Sequence, residues 1–242
     1  MNYRKGSHVA GKTSKKKYVR TIAAIIMLLA VGIGCWWWIK MGKMNSNNVL
    51  YPDPRISLSP IEKIPSNQLR TPDLIVLGAR QEVARNTMYD GSYQVLSYPK
   101  GDVPLGWGAC TDVVIRALRN AGIDLQELIH QDMTKSFSAY PQQWGTRAPD
   151  SNIDHRRVPN QMCFLKRHGQ TLSTMVAGHL DQWHWGDIVY WRFPNGLEHC
   201  GIVSDRKTEE GIPLVIENSS KAQEADLLQY WEIIGHFRYP PD

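Results

Sequence analysis

Scarcity is the first guide to this sequence. Four cysteines in 242 residues are too few for a disulfide scaffold. There is no Cys-x-x-Cys and no His-Glu-x-x-His, and the eight histidines are scattered, so neither a metal nor a cofactor is expected. Internal repeats and low-complexity tracts are absent, which excludes solenoids and arrays. Acidic residues are missing from positions 1–50, which carry nine Lys or Arg; the remainder holds 19 basic and 23 acidic side chains, a net −4. A nucleic-acid binder concentrates positive charge on its folded part, so the overall +5 does not point to nucleic acid.

One long uncharged run is present, Thr21 to Ile39. As a helix it would span roughly 28 Å, about one hydrocarbon core. Seven positive charges precede it, which orients the N-terminus to the cytoplasm. A cleaved signal peptide is the rival reading, and Gly32-Ile33-Gly34-Cys35 faintly resembles a lipoprotein cleavage box. The 20-residue lead favours a retained anchor. The expected organisation is a basic tail (1–20), a transmembrane anchor (21–39), a linker or strap with Pro52, Pro54, Pro60 and Pro65 (40–66), and one domain (67–242).

Within the domain, Thr71-Pro72-Asp73 opens a helix, Asp124 to Phe137 has helical phase, and Val158 to His168 reads as a short helix closed by Gly169. Residues 140–159 contain too many breakers for regular structure. From Trp185 the texture changes to strands over Asp187–Arg192, His199–Ser204, Pro213–Asn218 and Ile233–Tyr239. Helices followed by an antiparallel meander predict an α+β domain.

The chemistry centres on Cys110. Pro104, Gly106 and Gly108 resist helix, whereas Val113, Val114, Ala117, Leu118 and Ala121 recur at helical spacing after it. A cysteine in the first turn of a helix feels free N–H groups and the positive end of the macrodipole, both favouring thiolate. The alternative is a small buried residue capping a core helix. A nucleophilic thiol needs a base and a group that orients the base. On spacing alone any of the eight histidines could be that base; His199 begins a strand, and alternation places Cys200 on the other face, a poor nucleophile for that histidine. Glu217 and Asn218 end the next strand, where either could reach an imidazole. If Cys110 stays free, Cys163 and Cys200 are the pair to suspect of bridging, against two unpaired thiols.

Gly186-Asp187-Ile188-Val189-Tyr190-Trp191 followed by His199-Cys200-Gly201-Ile202-Val203 resembles the paired strands of NlpC-type papain-like cysteine peptidases of bacterial cell walls. A closer resemblance is to the bacterial domain of unknown function 1287 family, carried by Tyr98 to Ala117, Asn152 to Asn160, Trp183 to Trp191, His199 to Asp205 and Gly235 to Tyr239. The resemblance implies an α+β, papain-like (NlpC-type) fold with N-terminal helices packed on an antiparallel β-sheet, and the uncharged run at 21–39 places one transmembrane helix before it. It implies Cys110 as nucleophile, His199 as base, Glu217 or Asn218 as third residue, and an oxyanion site from the Cys110 N–H and the Tyr98 hydroxyl. The chain departs from the family at Glu217, where histidine is usual.

The implied function is an exported cysteine amidase or peptidase acting on peptidoglycan or another envelope peptide, held at the bacterial inner membrane. The rival classes are a non-catalytic envelope-binding module and an acyl or amide transferase. Substrate carboxylates would suit the His155-Arg156-Arg157 cluster, although Asp150 and Asp154 could equally pin those arginines within the loop. Asp112 is expected to satisfy N–H groups at the start of the Cys110 helix.

Overall fold

The structure, a computed structural model, describes residues 56–241. The basic tail, the expected anchor at 21–39 and Cys35 lie outside the described residues. Among the described residues, no helix is long and apolar enough to cross a membrane.

Among the described residues, four α-helices precede the main sheet: α1 (Thr71–Arg85), α2 (Cys110–Asn120), α3 (Leu125–Ser136) and α4 (Val158–His168). Helix α1 starts where Pro72 loses nothing by lacking an N–H, and the Arg70 N–H donates to Asp73 Oδ2 at 2.8 Å. It lies hard against α2, because a Cβ on Gly78 would fall 2.6 Å from Asn120 Cβ. Nearly every residue of α2 is buried, making it the central helix of the fold. Its Arg116 crosses to the buried Glu82 of α1 at 2.6 Å, which compensates two charges removed from water together.

Two short strands, β1 (Met88–Tyr89) and β2 (Trp107–Gly108), pair in parallel beside α2. The main sheet contains β3 (Gln170–Thr171), β4 (Ile188–Arg192), β5 (Glu198–Lys207), β6 (Pro213–Asn218), β7 (Ala222–Ala225) and β8 (Glu232–Arg238). All its pairings are antiparallel, in the order β3-β8-β4-β5-β6-β7. Ile188, Tyr190, Cys200, Ile202, Ile216 and Phe237 face the four helices. Val189, Trp191, Val203 and Val215 face away, under Val176, Trp183 and Leu228 from loops. The domain is therefore α+β, with helices on one face of the sheet and loops on the other.

The sheet departs from the simple meander that the strand spacing predicts. The last strand does not extend the sheet beyond β6 but returns to pair with β4. The edge beside β6 belongs to β7, whose Ala-Gln-Glu-Ala sequence has no apolar alternation to announce a strand. Residues 56–63 lie on the domain as a strap: Ile56 bridges Thr208, Ser59 Oγ donates to Asp205 Oδ2 at 2.6 Å, and Ile61 is buried. Arg80 ties the same Asp205 to Glu224.

Candidate active site

The loop before α2 is tied down at several backbone groups. Gly106, at φ +86°, makes a turn that only glycine enters without strain. Gly108 then offers its carbonyl to Asn218 Nδ2 at 2.8 Å and to the Asp90 N–H at 3.1 Å. The Ala109 N–H donates to Asp112 Oδ2 at 2.6 Å, the reciprocal bond that starts the helix. Cys110 follows as the first residue of α2, at the positive end of its dipole.

His199, near the start of β5, is packed among aromatic rings, its centroid 5.0 Å from Phe193 and 5.8 Å from both Trp191 and Trp231. Its Nε2 lies 2.7 Å from Glu217 Oε2. Glu217 is wholly buried, and its other oxygen accepts Gln223 Nε2 at 2.5 Å, so the carboxylate cannot rotate freely. Committing Nε2 to Glu217 leaves Nδ1 for Cys110, with which His199 shares a hydrogen bond and charge.

Hydrogen bonding from Cys200 holds the Cys110 thiol well below the ordinary range; burial opposes this, and His199 reinforces it. Burial pulls His199 down, but hydrogen bonds and charge from Cys110 and Glu217 outweigh it and raise the imidazole to about 9. Burial pushes Cys200 well up. The favoured state at neutral pH is a Cys110 thiolate beside a His199 imidazolium, with Cys200 a neutral thiol.

Cys110, His199 and Glu217 are thus brought together. Asn218 is not the group on His199; it holds the Gly108 carbonyl and so positions the loop that carries the nucleophile. Tyr98 lies elsewhere: its ring packs on His130 of α3 at 4.9 Å, because Ser97, Lys100 and Gly101 are hydrogen-bonded to Gln126 and Asp124 at the start of α3. The tyrosine bordering Cys110 is Tyr89, whose phenol is pushed up by burial and then by the charge of Cys110. No spacing rule could have named Tyr89, which arrives from a strand of only two residues.

The expected carboxylate-binding cluster divides into three fates. Arg156 is buried on Asp112, Nη2 to Oδ2 at 2.8 Å, and also donates to the carbonyls of Ser92 and Asp90. It braces the Tyr89 turn against the start of α2 and has no free edge for substrate. His155 is buried and neutral, driven down to about 4 by burial and then by Arg156. Arg157 pairs with Asp154 at 2.9 Å, stacks on Trp144 at 4.0 Å, and keeps 17 % of its side chain exposed. It lines a cleft of about 530 Å³ with Tyr89, Cys110, Trp144 and Leu197. The three described cysteines are all free, and Cys163 donates to the Ala139 carbonyl instead of meeting Cys200. Among the described residues, no three His, Cys, Asp or Glu side chains converge as a metal site.

The motifs Trp183 to Trp191 and Gly235 to Tyr239 also meet, since Asp187 accepts from His236 at 2.9 Å and from Arg238 at 2.8 Å. These sequence blocks, distant along the chain, are thus joined by side-chain contacts. No solved structure matches the chain. The uncharacterized protein YijF of Escherichia coli (strain K12) is 50% identical over 173 residues, covering 71% of this chain and 83% of that protein. The model of the family described as "Domain of unknown function (DUF1287)" matches residues 76–239, which take in the whole Cys110–His199–Glu217 constellation; the chain belongs to that family.

Proposed function

We propose that the domain is a cysteine amidase or peptidase of the papain-like, NlpC type, acting on amide bonds of cell-wall peptides outside the inner membrane. The observation that carries the reading is a thiol at a helix N-terminus sharing a hydrogen bond with a buried histidine that a buried carboxylate orients. In the proposed reaction, Cys110 Sγ attacks the amide carbonyl carbon. The negative oxygen is stabilised by the Cys110 N–H and by the Tyr89 hydroxyl, which replaces Tyr98 in that role. His199 gives its proton to the leaving amine as the C–N bond breaks. Water then attacks the thioester with His199 as base, releasing the acid and the thiol.

Glu217 suits this cycle because a carboxylate favours the imidazolium that each step passes through. The substrate class follows from the likeness to cell-wall enzymes, from the uncharged run at 21–39, and from Arg157 beside the cleft, which fits a substrate carboxylate. The test is to incubate the full chain in detergent, beside its Cys110→Ala variant, with purified peptidoglycan and its released stem peptides. A fragment made only by the unaltered chain, identified by mass spectrometry, supports hydrolysis and names the bond. Intact substrate that binds equally to both proteins would move the assignment to an envelope-binding module.

A further inference from the structure

Cys200 is a buried thiol that the proposed reaction leaves unused. It follows His199 on β5 but points to the opposite face of the sheet, into the helix-side core that also holds Cys110. Its thiol and its backbone N–H both donate toward the Cys110 sulfur. The two sulfurs differ in access. Cys110 borders the cleft, whereas Cys200 has no exposed surface. They also differ in character, since the thiolate form is favoured at Cys110 and the neutral thiol at Cys200. A small electrophile reaching the site therefore meets Cys110 first, and its product is formed against a second thiol.

We propose that Cys200 is a resolving thiol: a hydroperoxide oxidises Cys110 to a sulfenic acid, and Cys200 converts this to a Cys110–Cys200 disulfide that silences the nucleophile reversibly. In the first step the Cys110 thiolate attacks the distal peroxide oxygen, the S–O bond forms, and the O–O bond breaks. The departing alkoxide (hydroxide, for hydrogen peroxide) takes the His199 proton and leaves as alcohol or water, so the peroxide is reduced by two electrons. In the second step the Cys200 sulfur attacks the sulfenic sulfur, the S–S bond forms, and hydroxide leaves with the Cys200 proton as water. The movement required is from a hydrogen-bonded pair of sulfurs to a bond of about 2.05 Å. Without a neighbouring thiol, a sulfenic acid proceeds to sulfinic and sulfonic acids, which thiol reductants do not reverse.

The pairing is tested without any hydrolysis assay, so it stands or falls separately from the amidase reading. The full chain carrying Cys163→Ser is treated with hydrogen peroxide, alkylated, and digested with trypsin without reductant. The tryptic peptides 101–116 and 193–206 are expected joined, two hydrogens lighter than their sum, and separate again after dithiothreitol. In Cys200→Ala and the bulkier Cys200→Val, alkylatable Cys110 recovered by dithiothreitol is expected to fall about tenfold, with sulfinic and sulfonic acids accumulating. The proposal is overturned if Cys110 of the parent is over-oxidised without the joined peptide, or is joined to a different cysteine. Equal recovery in the parent and both Cys200 variants overturns it as well.

Discussion

The sheet holds two buried histidine–carboxylate pairs, and they differ in what the second ring nitrogen meets. His236 Nε2 faces Asp187 at 2.9 Å, and its Nδ1 faces the Ser173 carbonyl at 2.7 Å. Its ring is stacked on Trp183 at 3.7 Å, and Asp187 is further held by Arg238 and the His184 N–H. His199 has a similar carboxylate and a similar aromatic surround, but its second nitrogen is turned to a thiol. Burial and a carboxylate partner make a strut in one place. The same parts make a candidate proton relay in the other, because one valence is left uncommitted and a nucleophile lies against it.

The sharpest break of this comparison is to remove each pair's defining group. Cys110→Ala or His199→Ala is expected to lower amide hydrolysis by about 10⁴-fold or more, with the melting temperature of Cys110→Ala nearly unchanged. Asp187→Ala is expected to do the reverse. It strands Arg238 and His236 without their buried carboxylate, so urea unfolding should lose about 3–5 kcal/mol while turnover per folded molecule persists. Equal stability losses at the two sites would erase the distinction.

Glu217→Gln sharpens it further. An amide keeps the shape but not the charge, so turnover is expected to fall about a hundredfold or more. The alkaline limb of the pH–rate profile should also move below about 9, because Glu217 is one of the groups that raise His199. In the unaltered chain, the ion pair is lost as pH rises through about 9, where His199 deprotonates. It is lost again as pH falls through the lowered value of Cys110. The His199 contribution to stability is complete below its ordinary value of about 6.5, and that of Cys110 is complete above about 8.5. Iodoacetamide labelling of Cys110 is therefore expected to persist well below pH 8.5, and a normal thiol titration would contradict the thiolate. The smallest effect is expected at the cleft wall, where Arg157→Ala should raise KM about tenfold at constant kcat, one lost carboxylate contact.

Much of this architecture was readable before any coordinates. The helix after Cys110, the helix from Val158 to His168 and the strand from Pro213 to Asn218 follow from periodicity and breakers, which are local signals. Cys110 and His199 stand out as a pair only through the family resemblance, because position alone does not choose among eight histidines, and the sequence leaves Glu217 and Asn218 as alternatives for the third residue. The roles of Tyr89 and Arg156 were not readable. Tyr98 has the expected spacing from Cys110, but the start of α3 captures the backbone of its neighbours Ser97, Lys100 and Gly101. Arg156 looks free in a charged loop, yet Asp112 and two carbonyls from a distant turn occupy its fork. The return of β8 to β4 was equally hidden, since it depends on Asp187 meeting His236 and Arg238 across 49 and 51 residues. Such contacts are set by the fold as a whole and leave no periodic trace.

The strap has an orienting consequence. Ile56 is bridged to Thr208, just past the end of β5, while His199 lies at that strand's beginning. The two are separated by roughly 25–30 Å of extended chain. A pull on the polypeptide from the N-terminal side would therefore act at one pole of the domain and leave the cleft at the other. The Ile56–Thr208 bridge and the paired Ser57–Lys207 hydrogen bonds, rather than the strand end that carries His199, would bear the load first.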